Sequence, residues 1–92
     1  MSMKKLTKKV RPAKSELEGI PNTSGIYILH RGTKSRYVGS AEAGNLQQRI
    51  KQQLKQKRGI TSFQYRSTSS TKEAKELEKK YRDRLNPEQR RI

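Results

Sequence analysis

A formal charge of +15 on only 92 residues sets the terms on which this chain can fold. Lys and Arg number 23 against 8 acids, so the compact state must tolerate strong self-repulsion. Few core-building residues oppose it, since Leu, Ile, Val and Phe together supply 16 of the 92 positions. That share lies under the ~20% at which a highly charged chain can stay disordered. The core must therefore be thin, with stability expected toward the low end of the usual ~5–15 kcal/mol. The length is room for one domain.

The usual reason to keep such a surplus is a polyanionic partner. Nucleic acid comes first, because each phosphate contact releases counterions and adds affinity. An anionic membrane surface comes second, and a merely solvated charge surplus is the plain alternative. The chain has no cysteine, which excludes disulfides and thiolate metal sites, and its single histidine, His30, excludes a His-cluster metal centre. No apolar run approaches the ~20 residues of a membrane helix, and the lysine-rich start lacks the apolar stretch of a secretory signal. A cytoplasmic location, associated with DNA or the nucleoid, is expected.

Residues 1–19 carry Lys4, Lys5, Lys8, Lys9, Arg11 and Lys14 among few apolar side chains and read as a flexible basic arm. Turn chemistry at 19–24 leads into Gly25-Ile26-Tyr27-Ile28-Leu29-His30, a strand with Ile26 and Ile28 on one face and Tyr27 and Leu29 on the other. A polar loop at 31–35 returns the chain as Arg36-Tyr37-Val38-Gly39, antiparallel to the first strand. From Asn45 to Lys57, Leu46, Ile50 and Leu54 recur at helical spacing with only basic and amide side chains around them. Residues 61–68 suit a third strand. Ser70-Thr71-Lys72-Glu73 has the form of a capping box, and the helix behind it buries Ala74, Leu77, Tyr81 and Leu85 before Asn86-Pro87 stops it. The expectation is one α+β domain over residues 20–92. It has a small three-stranded antiparallel sheet flanked by helices, in the order β-β-α-β-α.

Cleaving a phosphodiester needs a base for the attacking water, a cation near the leaving oxygen and a donor for transition-state charge. Glu78 flanks the buried stripe of the last helix and is a candidate ligand for magnesium, which often takes only one or two protein carboxylates. Taken alone, it is better explained as a surface Glu paired with a neighbouring base. Arg49 edges the stripe of the first helix, and its planar fork suits a phosphate, yet it is one arginine among many. Tyr27 and Tyr37 stand on paired strands. Positive neighbours could lower a phenol from its ordinary ~10 far enough to act as a base, but two aromatics on a small sheet need no such role. His30 falls in register with Ile26 and Ile28 and reads as a rim histidine with no catalytic task.

The ordered set is more specific than its members. Gly25-Ile26-Tyr27, then Tyr37-Val38-Gly39, then Arg49 in the next helix, then Glu78 on the last long helix resembles the GIY-YIG nuclease superfamily over roughly residues 20–90. Pro21, Gly39-Ser40-Ala41, the Leu46-to-Arg49 spacing and Pro87 after Glu78 agree with that pattern. The resemblance implies Tyr27 as general base or water-positioning group, Tyr37 supporting it, Arg49 on the scissile phosphate and Glu78 holding one Mg²⁺ (or Mn²⁺). It implies further nucleic-acid contacts at Gly39, Ser40, Lys51, Gln53 and Arg90. Gly25 and Gly39 would keep the sheet open near the phosphate. Two departures bear on rate: Gln53 and Arg90 stand where members often have histidine and asparagine.

The expected activity is therefore a magnesium-dependent endonuclease on DNA, with RNA possible as a ligand. The alternative is a non-catalytic basic DNA- or RNA-binding module on the same fold. The enzyme reading requires two phenols, a guanidinium and a carboxylate to converge on one cationic cleft. A Glu78 that pointed away from the tyrosine hydroxyls, on the opposite side of the sheet, would leave only polyanion binding.

Overall fold

The computed structural model describes residues 9–85. They form α1 (Lys14–Glu18), β1 (Ser24–Arg31), β2 (Lys34–Ala41), α2 (Leu46–Gln56), β3 (Ser62–Thr68) and α3 (Thr71–Leu85). The expected α+β sandwich is present, with α1 added ahead of it. The sheet is antiparallel in the order β2-β1-β3, so β1 is central and β2 is an open edge. A two-residue turn joins β1 to β2, with Gly32 at φ 62°.

The register assigns the two faces. Tyr27 pairs with Gly39 and Tyr65, and Leu29 with Tyr37 and Phe63, so these residues share one face. Ile26 pairs with Ser40 and Arg66, and Ile28 with Val38 and Gln64, on the other. The first face packs on α2, where Tyr27, Leu29, Phe63, Leu46 and Ile50 form a wholly buried cluster with Ile20 and Ala41. Each such side chain contributes about 1.5–3 kcal/mol on burial, and these few must offset the chain's self-repulsion.

The second face packs on α3 and is far more polar. Ser24, His30, Thr68 and Glu78 are all buried there beside Ile26, Ile28, Val38 and Ala74. Hydrogen bonds explain most of how that is tolerated, although His30 Nδ1 is buried with no partner among the described residues. The Ser24 and Thr68 hydroxyls lie 2.8 Å apart, and His30 Nε2 meets Gln64 Oε1 at 2.7 Å. His30 is thus interior, not at the rim, because the sheet extends past it and Gln64 closes over it. Burial lowers its pKa from the ordinary 6.5.

Residues 1–8 lie outside the described residues, but 9–19 are docked. Val10 exchanges two backbone hydrogen bonds with Phe63, at 2.9 and 2.8 Å. The Gln47 amide points among the carbonyls of Leu17, Glu18 and Ile20 at 3.0–3.1 Å, tying α1 to α2. Two apolar residues, Val10 and Leu17, find room against the core edge, which a charge count does not register. The cap of α3 forms as expected on one side, with Glu73 N–H donating to Ser70 Oγ at 3.1 Å. Its carboxylate reaches one residue further back than the capping box implies, to Ser69 N–H at 2.8 Å. Among the described residues no helix is long and apolar enough to cross a membrane.

Candidate functional site

Tyr27 leaves β1 on the α2 face and lies over its partner on β2, Gly39. Its phenol fills the space where a Cβ on Gly39 would stand. Gly39 is therefore small for the sake of this ring. Gly25 is small for a similar reason: a Cβ there would lie 2.5 Å from the Arg66 carbonyl and 2.9 Å from Leu46. The Tyr27 ring sits 6.1 Å from Tyr37, and Lys57 Nζ caps Tyr37 at 4.5 Å from the ring centre. Lys57 was not singled out by sequence, since the signal lay in a tertiary contact.

The Tyr27 hydroxyl is fully buried, and the Arg49 side chain approaches it without forming a hydrogen bond of good geometry. Desolvation pushes its pKa well above the ordinary 10, and neighbouring Tyr37 and the Glu78 charge push the same way. Arg49 pulls downward but does not win. The expectation that cations would make this phenol acidic is thus reversed. Burial outweighs the Arg49 guanidinium beside it.

Glu78 arises from the helix that covers the opposite face. It does not flank the buried stripe of α3 as spacing suggested but lies within it, one turn after Ala74. Its side chain is 8% exposed. One oxygen accepts a 2.8 Å hydrogen bond from Ser40 Oγ, and the other has Arg82 at 4.0 Å. Tyr37 and Glu78 therefore approach from opposite faces, because side chains alternate along β2, but Glu78 does not point away from the phenols: its charge acts on Tyr27 across the edge strand. Tyr37 and the Gly39 space point one way, and Ser40 points the other. They meet instead around the edge strand: the Tyr27 phenol lies over Gly39 and the Glu78 carboxylate holds Ser40, the next residue.

Arg49 is exposed on α2 and lines a cleft of about 370 Å³ beside this edge, together with Ser40, Glu42, Asn45, Thr71 and Lys75. Ser40 thus joins the cleft to the carboxylate behind it. The other expected nucleic-acid contacts divide. Gln53 is 6% exposed, because it falls one turn from Arg49 on the side of α2 that meets the sheet. Lys51 lines a separate cavity with Pro12 and Leu17 on the α1 side. Arg90 lies outside the described residues. Glu42, Asn45, Thr71 and Lys75 were missed, as nothing in local spacing brings the start of α2 beside the start of α3.

A metal can be tested against these donors. Among the described residues no three His, Cys, Asp or Glu cluster, so a protein-caged ion such as zinc does not fit. One carboxylate, joined through the Ser40 hydroxyl to an open polar cleft, does fit a water-rich magnesium ion. Glu42, on the cleft wall, is a second oxygen donor within the same region.

An edge-strand cleft on a helix-flanked three-stranded sheet defines the class: a small α+β domain with a basic surface. The chain belongs to the family described as a domain of unknown function (DUF7508), which matches residues 4–84. No protein of curated function matches it.

Proposed function

We propose that this protein is a magnesium-dependent endonuclease of the GIY-YIG type, acting on DNA in the cytoplasm or at the nucleoid. The observation that carries the reading is the buried Glu78. Removing a carboxylate from water costs several kcal/mol, whereas a hydrogen bond to a charged group returns only about 1.5–3 kcal/mol. An ion pair stretched to 4.0 Å adds little. A chain with so thin a core keeps such a group when the group has work to do.

In this reading Arg49 holds the scissile phosphate from the α2 wall and opposes the charge that develops on it. Ser40 fixes the rotamer of Glu78 through its hydroxyl. Glu78 would hold the Mg²⁺, which would supply Lewis-acid stabilisation of the leaving oxygen when bound. Tyr27 is protonated at neutral pH, so its role is to position the attacking water through its hydroxyl after a small opening over Gly39. Tyr37, braced by Lys57, keeps the Tyr27 ring in place.

The test is nicking of supercoiled plasmid with Mg²⁺ and with EDTA. The parent should nick, and Glu78→Gln, Arg49→Ala and Tyr27→Phe should each lose about 10²-fold or more. A base role for Tyr27 would show instead as activity that climbs with pH well past neutrality. One observation favours a second reading, a non-catalytic binding module: the Tyr27 hydroxyl is sealed from solvent. Gel shifts over several DNA forms with no nicking would establish that reading, and competition between DNA and RNA at equal salt would set its preferred ligand.

A further inference from the structure

The cleft beside Arg49 has a second cation on its far wall. Lys75 is exposed on α3, one turn into the helix, and lines the same cavity of about 370 Å³. Arg49 enters from α2, so the two positive groups approach from different elements. Asn45 and Thr71 line the cleft between them as neutral polar groups. The walls are fixed relative to each other, since Ala43 N–H donates to Thr71 Oγ1 at 3.2 Å across the gap. The acid on the rim is Glu42.

From this geometry we infer that the cleft is a two-phosphate site, in which Lys75, with Thr71 and Asn45, binds the backbone phosphate next to the one held by Arg49. The inference rests on the nucleic-acid reading above and names the residues that set the strand's position. A cavity of this volume is too large for one phosphate alone and admits a short stretch of sugar–phosphate backbone. Two cations on opposite walls hold that backbone at two points and fix its direction, which a single arginine cannot do. Lys75 is a positioning residue: it acts on a phosphate that does not react. Without a bound metal, Glu42 opposes the same anion and limits affinity.

The measurement is binding of a fluorescent DNA duplex in EDTA, so that no cleavage intervenes, over a series of salt concentrations. Lys75→Ala should weaken binding about 3–10-fold, and the log–log salt slope should fall by about one. Glu42→Gln should tighten binding, by about 2–5-fold. Lys79→Ala, an exposed lysine one turn further along α3 and not on the cleft wall, serves as the reference for generic charge loss. Both cleft substitutions are at exposed positions, and an unchanged thermal melt confirms that each variant folds.

In the Mg²⁺ nicking assay Lys75→Ala should raise KM and leave kcat near the parent value. If Lys75→Ala binds no more weakly than Lys79→Ala, or Glu42→Gln binds no tighter than the parent, the two-phosphate site is overturned while the nucleic-acid reading stands. If the parent itself binds no duplex, both fall. Displacement of the duplex by inorganic phosphate at constant ionic strength would make the cleft a free-anion site and would also overturn the inference.

Discussion

The two faces of the sheet are built on opposite terms. The α2 face is an apolar seal in which Tyr27, Leu29, Phe63, Leu46 and Ile50 are each 0% exposed. The α3 face buries almost as completely, but fills much of its area with Ser24, His30, Thr68 and Glu78. Apolar burial rewards any side chain of the right volume, so the first face tells of stability. Polar burial is tolerated only where partners are supplied, so the second face tells what the fold retains at some cost. The edge strand β2 belongs to both, and the candidate site lies there.

Truncations should separate the faces most sharply. Leu46→Ala or Ile50→Ala should cost about 2–5 kcal/mol in urea unfolding, enough to leave so thin a core largely unfolded. Comparable stability loss from Ser24→Ala would mean that the polar face carries the fold too. Next in size is Gly39→Ala, which drives a methyl into the Tyr27 phenol and should cost about 1–3 kcal/mol. The same substitution in a Tyr27→Leu background should cost less, and equal losses would show that the ring does not occupy that space.

Glu78→Gln keeps an acceptor for Ser40, so its stability should stay within about 1 kcal/mol of the parent while nicking disappears. A large destabilisation with activity retained would make Glu78 structural. The smallest effect concerns pH. The folded pKa of His30 is lowered, so between that value and 6.5 the unfolded chain binds more protons. The contribution is complete above 6.5 and is lost as pH falls from there toward the folded value. The melting temperature of the parent should drop over this window, and that of His30→Gln should drop less. Identical profiles would remove His30 from the account.

Much of the architecture was legible because period-two and period-3.6 patterns are local. The strand through Ile26 and Leu29, the stripe of Leu46, Ile50 and Leu54 and the Ser70–Glu73 cap each announce themselves within one segment. What a segment cannot announce is which surface will cover it. The Leu46 stripe placed Gln53 next to Arg49 in solvent, but the sheet reaches far enough to bury it. Lys51 and Arg49, two residues apart, were separated into different cavities by the docking of α1. The arm looked solvated because its lysines outnumber its apolar residues, and Val10 needed only the free edge of Phe63 to pair with.

The amino-acid sequence by itself determined the sign of the surface charge, the order of the elements and the residue types from which a site could be made, since charge and periodicity are properties of the chain. Tertiary structure alone decided that Tyr27 is sealed and protonated, that Glu78 is interior, and that Lys75 stands across from Arg49. The physical reason is that desolvation and the Coulomb energy of a group depend on everything packed around it, and those neighbours come from segments far away along the chain.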